Sequence, residues 1–322
     1  MFCASCGKEI EDGIKFCPFC GKSTTGDTET GVKNIATAGT VVINNWFDNK
    51  NISVKEQKGC FTIYEHNTDL SVSPAEAVMS YYMTQMNVKK RQVLCKLDGN
   101  TIKMQAGAMQ WMSGNVNMTS GVKGVGGFLG GLAKSVVTGE SLAKPIYSGE
   151  GMVMLEPTYR HLFIEDVGSW GSGIVLDDGL FLACDATLTE SITSRTNFSS
   201  ALLGGEGFYN LTLSGQGNVV LESPVPREEL IEFELNNSTV KIDGNMAIAW
   251  SSSLEFTVEK VEKSALGSFM SGEGFVNVYR GTGKILMAPT MNGTVHDNTS
   301  KGPEQQVANS SHGLVSTIFG NK

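Results

Sequence analysis

The chain has 322 residues, 40% hydrophobic and 18% charged, with 25 Lys and Arg against 33 Asp and Glu for a net charge of −8. That apolar fraction supports a real core and excludes a disordered chain. The acidic balance opposes binding to phosphate backbones, so nucleic acid is not an expected partner. With 38 Gly and only 8 Pro among runs of Val, Ile, Thr and Phe, the composition points to a β protein with many tight turns.

The first element is a pair of C-x-x-C-G knuckles, Cys3-Ala4-Ser5-Cys6-Gly7 and Cys17-Pro18-Phe19-Cys20-Gly21, with ten residues between Cys6 and Cys17. Two residues between thiolates let both sulfurs face one ion, and the glycine that follows permits the turn that brings backbone N–H groups toward sulfur. Residues 1–24 are therefore expected to be a zinc ribbon, with one structural Zn²⁺ held by Cys3, Cys6, Cys17 and Cys20. Four ligands close the tetrahedral shell and leave no position for catalysis. Phe2, Ile10, Ile14 and Phe16 are assigned its small core. A redox role for the C-x-x-C pairs would need a βαβ context that the sequence does not show. Residues 25–32, polar and rich in Thr and Gly, read as a linker.

The ligands begin at once, with no apolar leader, and no stretch reaches 18 apolar residues, so neither secretion nor a membrane span is expected. Cys60, Cys95 and Cys184 are scattered singly, and an odd total of 7 cysteines speaks against a disulfide framework. The expected compartment is the cytoplasm.

Residues 33–91 form an N-terminal extension. Cys60 to Tyr64 reads as a strand. Ser73-Pro74-Ala75-Glu76 has the form of a capping box with proline at the first helical position, and it predicts a helix over 74–88 whose Tyr and Met stripe packs on the body. Lys89-Lys90-Arg91 then reads as a solvated helix end.

From about residue 92 the chain repeats. Gly139-Glu140, Gly205-Glu206 and Gly272-Glu273 open three similar segments, 66 and 67 residues apart. Each continues to a G-x-G at Gly149, Gly215 and Gly281, and each ends near a proline. The spacing predicts three hairpins turning at G-x-G. Thr101–Met104, Gly173–Leu176 and Thr239–Ile242 precede a further strand in each unit, giving expected strand pairs around short turns. The predicted fold is all-β: three tandem β-sandwich or β-roll repeats, at about 92–157, 158–224 and 225–290, in a pseudo-threefold arrangement that hides sheet edges. Residues 291–322 are expected to form a flexible tail, with an apolar coda at 313–319 that docks on the body or on a partner.

The segments Gly107–Val116, Phe128–Ser141, Leu202–Phe208 and Ser271–Phe275 together resemble the altered-inheritance-of-mitochondria family, over about 92–290. The resemblance implies three copies of a TRAP-like domain, similar to the tryptophan-RNA-binding attenuator subunit, a short double-stranded β-helix. Its bacterial members often carry a zinc ribbon. It implies no activity, and the mitochondrial relatives are linked to inner-membrane organisation.

Reactive signatures are missing from the sequence. His66, His161, His296 and His312 are unpaired, and the glycine-rich run 121–131 lacks the lysine ending of a phosphate loop and reads as a flexible connection, with membrane-surface contact as an alternative. Glu140, Glu206 and Glu273 recur at equivalent places and would converge on a cation or a proton only if the repeats surround an axis. The expectation is a non-enzymatic scaffold or binding protein using the β body and the ribbon as a docking module, with a protein partner. Peripheral membrane contact and a homo-oligomer both stay open. An RNA-binding module by analogy with the attenuator fold, and an enzyme with a site between repeats, are the alternatives.

Overall fold

A computed structural model describes residues 2–3, 7–12, 14, 17–19, 41–120, 144–194, 209–243, 246–260 and 275–290. The described residues are nearly all β, with curled sheets and one α-helix, as the composition and repeats predict. The extension supplies β1 (Ile52–Lys58), β2 (Phe61–His66) and α1 (Ala77–Gln85). The first repeat has three long strands, β3 (Arg91–Met104), β4 (Met109–Thr119) and β5 (Ile146–Leu155). The second breaks the same path into β6 (His161–Asp166), β7 (Ile174–Leu176), β8 (Phe181–Asp185), β9 (Thr189–Ser194), β10 (Tyr209–Ser214) and β11 (Asn218–Ser223). The third has β12 (Ile231–Asp243), β13 (Ala247–Ser251), β14 (Glu255–Lys260) and β15 (Phe275–Met287).

Each repeat folds as two antiparallel three-stranded halves. In the second, β11 lies between β6 and β8, and β10 lies between β7 and β9. In the first and third the long strands contribute one end to each half. Thus Glu150–Met154 of β5 pairs with Leu94–Asp98 of β3, and Ile146–Ser148 pairs with Thr101–Lys103. The expected hairpins are not formed. At G-x-G the chain bends from one half to the other without reversing, and in β5 and β15 it does so within one strand. Glycine serves a bend as well as a turn: Gly149 stands at φ +118°, and a Cβ there would run into the carbonyl oxygen of Asn115. The strand pairs expected around short turns are also corrected. β3 and β4 are consecutive but share no ladder, because the turn at 105–108 crosses from one half to the other.

The halves join across repeat boundaries. Ile102, Lys103 and Met104 of β3 pair with Asp185, Cys184 and Ala183 of β8. Ile174, Val175 and Leu176 of β7 pair with Ser251, Trp250 and Ala249 of β13. β4 and β12 are not paired with each other among the described residues, so these two junctions form an open series. One bulge recurs in all three repeats, with Gln110, Leu182 and Ile248 as the extra residues. It fixes the register of each unit and so which face each side chain takes.

Three cores follow from this arrangement. The first, around Leu97, Ile102 and Val153, also takes Leu162, Ile164 and Val220 from the outer face of the second repeat. The second, around Trp170, Phe181 and Leu213, takes Ile248 and Leu286 from the third. The third gathers Trp250, Tyr279 and Ile285. Each fully buried aliphatic contributes about 1.5–3 kcal/mol. The outer face of the first repeat has no repeat before it, and Trp46, Phe47 and Ile52 cover Tyr64, Leu94 and Met154 there. The extension thus works as a cap on the series.

Helix α1 begins three residues later than expected. Ser73 Oγ donates to Glu76 Oε2 at 2.7 Å instead of accepting from a backbone N–H, so the box closes on itself and the regular helix starts at Ala77. Asn87, at φ 62°, ends it.

Candidate functional site

Cys3, Ile10 and Cys17 are buried together with Ile14 half-buried against them, and Cys6, Phe16 and Cys20 lie outside the described residues. Gly7 takes φ +70° and donates to Cys3 O at 2.8 Å, the turn a knuckle needs. Two thiols gathered in so small a core fit a tetrathiolate site. Phe2 is corrected from core to exposed, because its bridge to Glu9 turns the ring outward. Lys8 meets Asp48 of the extension at 3.9 Å, an exposed pair of small energetic weight. Glu140, Glu206 and Glu273, the glycine-rich run, the tail and its coda lie outside the described residues.

The stripe of α1 is not packed on the body. At 100° per residue Val78, Tyr82 and Met86 share one line with Met79 beside it, and they are 69%, 64%, 77% and 68% exposed. Ser80, Met83 and Thr84 face inward instead, half-buried, with Thr84 Oγ1 donating to Ser80 O at 2.9 Å. The helix AVMSYYMTQ carries no charge, and Tyr81, 60% exposed and edge-to-face with Tyr82, extends its apolar surface. Helices of soluble domains normally turn the apolar face in; here it is turned out.

The base of this projection is held firmly. Arg91 is 0% exposed; its Nε donates to Glu65 Oε2 at 2.8 Å and its Nη2 to Asn87 O and Oδ1 at 2.9 and 2.7 Å. Lys89 adds a 2.8 Å pair to Glu65. Burial alone would raise Glu65, but Lys89 and Arg91 together outweigh it and hold the carboxyl below its ordinary range. On the other foot Asp69 accepts from Lys90 at 3.1 Å and from Tyr159 Oη, and that carboxylate pushes the Tyr159 phenol up to about 12. The segment expected to be a solvated helix end is therefore a structural clamp.

His161 sits nearby with a buried Nδ1 that has no hydrogen-bond partner; burial, with Arg91 and Lys55 close, brings it down to about 4. Cys60 and Cys184 are raised to about 12, chiefly by burial, and Cys95 well above its ordinary value, so these thiols stay protonated and unreactive. Among the described residues no three His, Cys, Asp or Glu are grouped to hold a metal. An open groove of about 320 Å³ runs between residues 41–46 and Trp111, Met112 and Ser113. A second, of about 250 Å³, lies beside the turn at 105–108. The sequence missed the clamp because its partners lie up to 90 residues apart, and only the absence of charge from 77–87 hinted at the exposed helix.

The model for mitochondrial biogenesis AIM24 matches residues 82–290, and that for a zinc-ribbon domain matches 2–24. An uncharacterised protein of Streptococcus pyogenes serotype M6 is 29% identical over 197 residues, 59% of this chain and 77% of that protein. A crystal structure of another Streptococcus pyogenes protein is 25% identical with a TM-score of 0.47, covering 64% of this chain and 90% of that one. No helix among the described residues is long and apolar enough to cross a membrane.

Proposed function

The chain belongs to the mitochondrial biogenesis AIM24 family, and from that footing we propose that it is a non-enzymatic binding protein whose contact surface is α1, with a tethered zinc ribbon as a second docking module. One observation carries this reading: α1 shows its apolar face to solvent while two charged clamps hold its base. Exposed apolar side chains on a rigid support are a recognised mark of interaction sites, and Tyr and Met are residue types favoured in them. Since the helix carries no charge, the fitting partner is a protein with an uncharged apolar groove that takes anchors at i, i+4 and i+8. In the ribbon, Cys3, Cys6, Cys17 and Cys20 would hold one structural Zn²⁺, which supplies folding energy and no reaction.

The test uses full-length, zinc-loaded protein. Tyr82→Asp with Met86→Asp alters only exposed positions, so the fold is expected to survive. Affinity capture followed by binding of the purified partner should show at least a tenfold weaker Kd for the double variant. Equal affinity for wild type and variant would remove α1 as the contact surface.

A further inference from the structure

Both junctions between repeats obey one rule. The outward edge of β8 takes the second half of β3, and the outward edge of β13 takes β7. The flanking bonds agree as well. Gln105 N–H donates to Leu182 O and Ala186 N–H to Thr101 O, just as Asp177 N–H donates to Ile248 O and Ser252 N–H to Gly173 O. Even-numbered residues 182, 184, 186 and 248, 250, 252 therefore point their backbone groups at the preceding repeat.

The recurring bulge identifies the equivalents in the first repeat. Trp111 of β4 stands where Ala183 and Ala249 stand, each one residue past the bulge, so Trp111, Met112 and Ser113 correspond to the junction residues of β8 and β13. β4 pairs only with β5 among the described residues, so this outward edge receives no strand there. The same three residues line the 320 Å³ groove. At the far end of the series Ile242, Lys241 and Val240 of β12 correspond to Met104, Lys103 and Ile102. That strand pairs only with β15 among the described residues. The chain thus leaves one acceptor edge at its start and one matching strand at its end.

We propose that a second copy of this chain fills the groove: β12 of one copy adds to β4 of the next, with Lys241 opposite Met112, continuing the ladder seen twice within each chain. The pairing is head-to-tail, so it builds chains or closes into a ring, and each added copy leaves the same two ends. Main-chain bonds supply the affinity, as in other strand additions. Residues 41–46 form the far wall of the groove and set how deeply the incoming strand sits. The proposal goes beyond the binding role of α1, which uses a different surface.

Sedimentation of the full-length, zinc-loaded protein over a wide concentration range should give a mass that rises above that of one chain. Met112→Pro blocks the acceptor edge and Lys241→Pro blocks the donor strand, because each removes the outward N–H while sparing the inner ladder. Each variant alone should stay a single chain; mixed, they should form a one-to-one pair and nothing larger, since each keeps one intact end. Met112→Cys mixed with Lys241→Cys supplies a readout that does not depend on tolerating proline. Residues directly opposite in a hydrogen-bonded pair lie about 5.5 Å apart, within disulfide reach, so mild oxidation should yield the mixed dimer, whereas Met118→Cys with Lys241→Cys should not. Wild type that remains a single chain throughout, or cysteine variants that fail to cross-link selectively, would overturn the proposal. So would a groove filled by upstream residues of the same chain or by an unrelated peptide.

Discussion

Replacing Arg91 with alanine is expected to lower the stability of the body by about 3–5 kcal/mol, the range for removing one member of a buried ion pair. Arg91 is fully buried and serves Glu65, Asn87, Lys89 O and Arg160 O at once. Its loss leaves a mostly buried carboxylate beside Lys89 alone and removes the two hydrogen bonds that Asn87, the residue ending α1, accepts. The denaturation midpoint should fall with little change in slope, while Lys55→Ala, at an exposed site, should stay within about 0.5 kcal/mol. The effect depends on pH with a definite sign. Glu65 has a folded pKa below its ordinary 4.5, so its contribution is complete above that value and disappears as pH falls through the lowered folded one. The gap between wild type and variant should therefore narrow in acid. A variant as stable as wild type at neutral pH would show that the clamp does not hold the projection.

Cys17→Ser is expected to have the largest effect, confined to the ribbon. Apparent zinc affinities of such small modules amount to roughly 10–16 kcal/mol, and some two dozen residues cannot fold without that energy. Wild type should carry one zinc per chain, and the variant should lose it together with the small core of Cys3, Ile10 and Cys17. The body should melt as before, because Lys8–Asp48, an exposed pair, is a weak link between the two. A chelator should reproduce the variant. Tightly bound zinc retained by Cys17→Ser would contradict the four-cysteine assignment.

The architecture was legible in the sequence where local chemistry repeats. The C-x-x-C-G spacing, the strand from Cys60 to Tyr64 and the recurrence of G-x-G every 66 or so residues all mark real features. The form of the repeat was not legible. A G-x-G that bends a strand and one that reverses it have the same residues, and only the ladder shows that β5 and β15 run on. The helix failed for a different reason. Periodicity reports that Val78, Tyr82 and Met86 share a face, not what lies opposite, and the rule that apolar faces turn inward was broken by the clamp of Arg91, Glu65, Asp69 and Tyr159. Those residues are distant in sequence and ordinary one by one. The Glu140, Glu206 and Glu273 set falls outside the described residues.

Hydroxyl-radical footprinting of the isolated, zinc-loaded protein reads the exposed face of α1 without needing its partner. Met79, Met86 and Tyr82 should oxidise quickly, at rates set by open solvent, whereas Met104 and Met154, both fully buried, should resist until the body unfolds. Protection of Met79, Met86 and Tyr82 to the level of Met104 would mean that the helix is already covered, and the binding role assigned to it would fall.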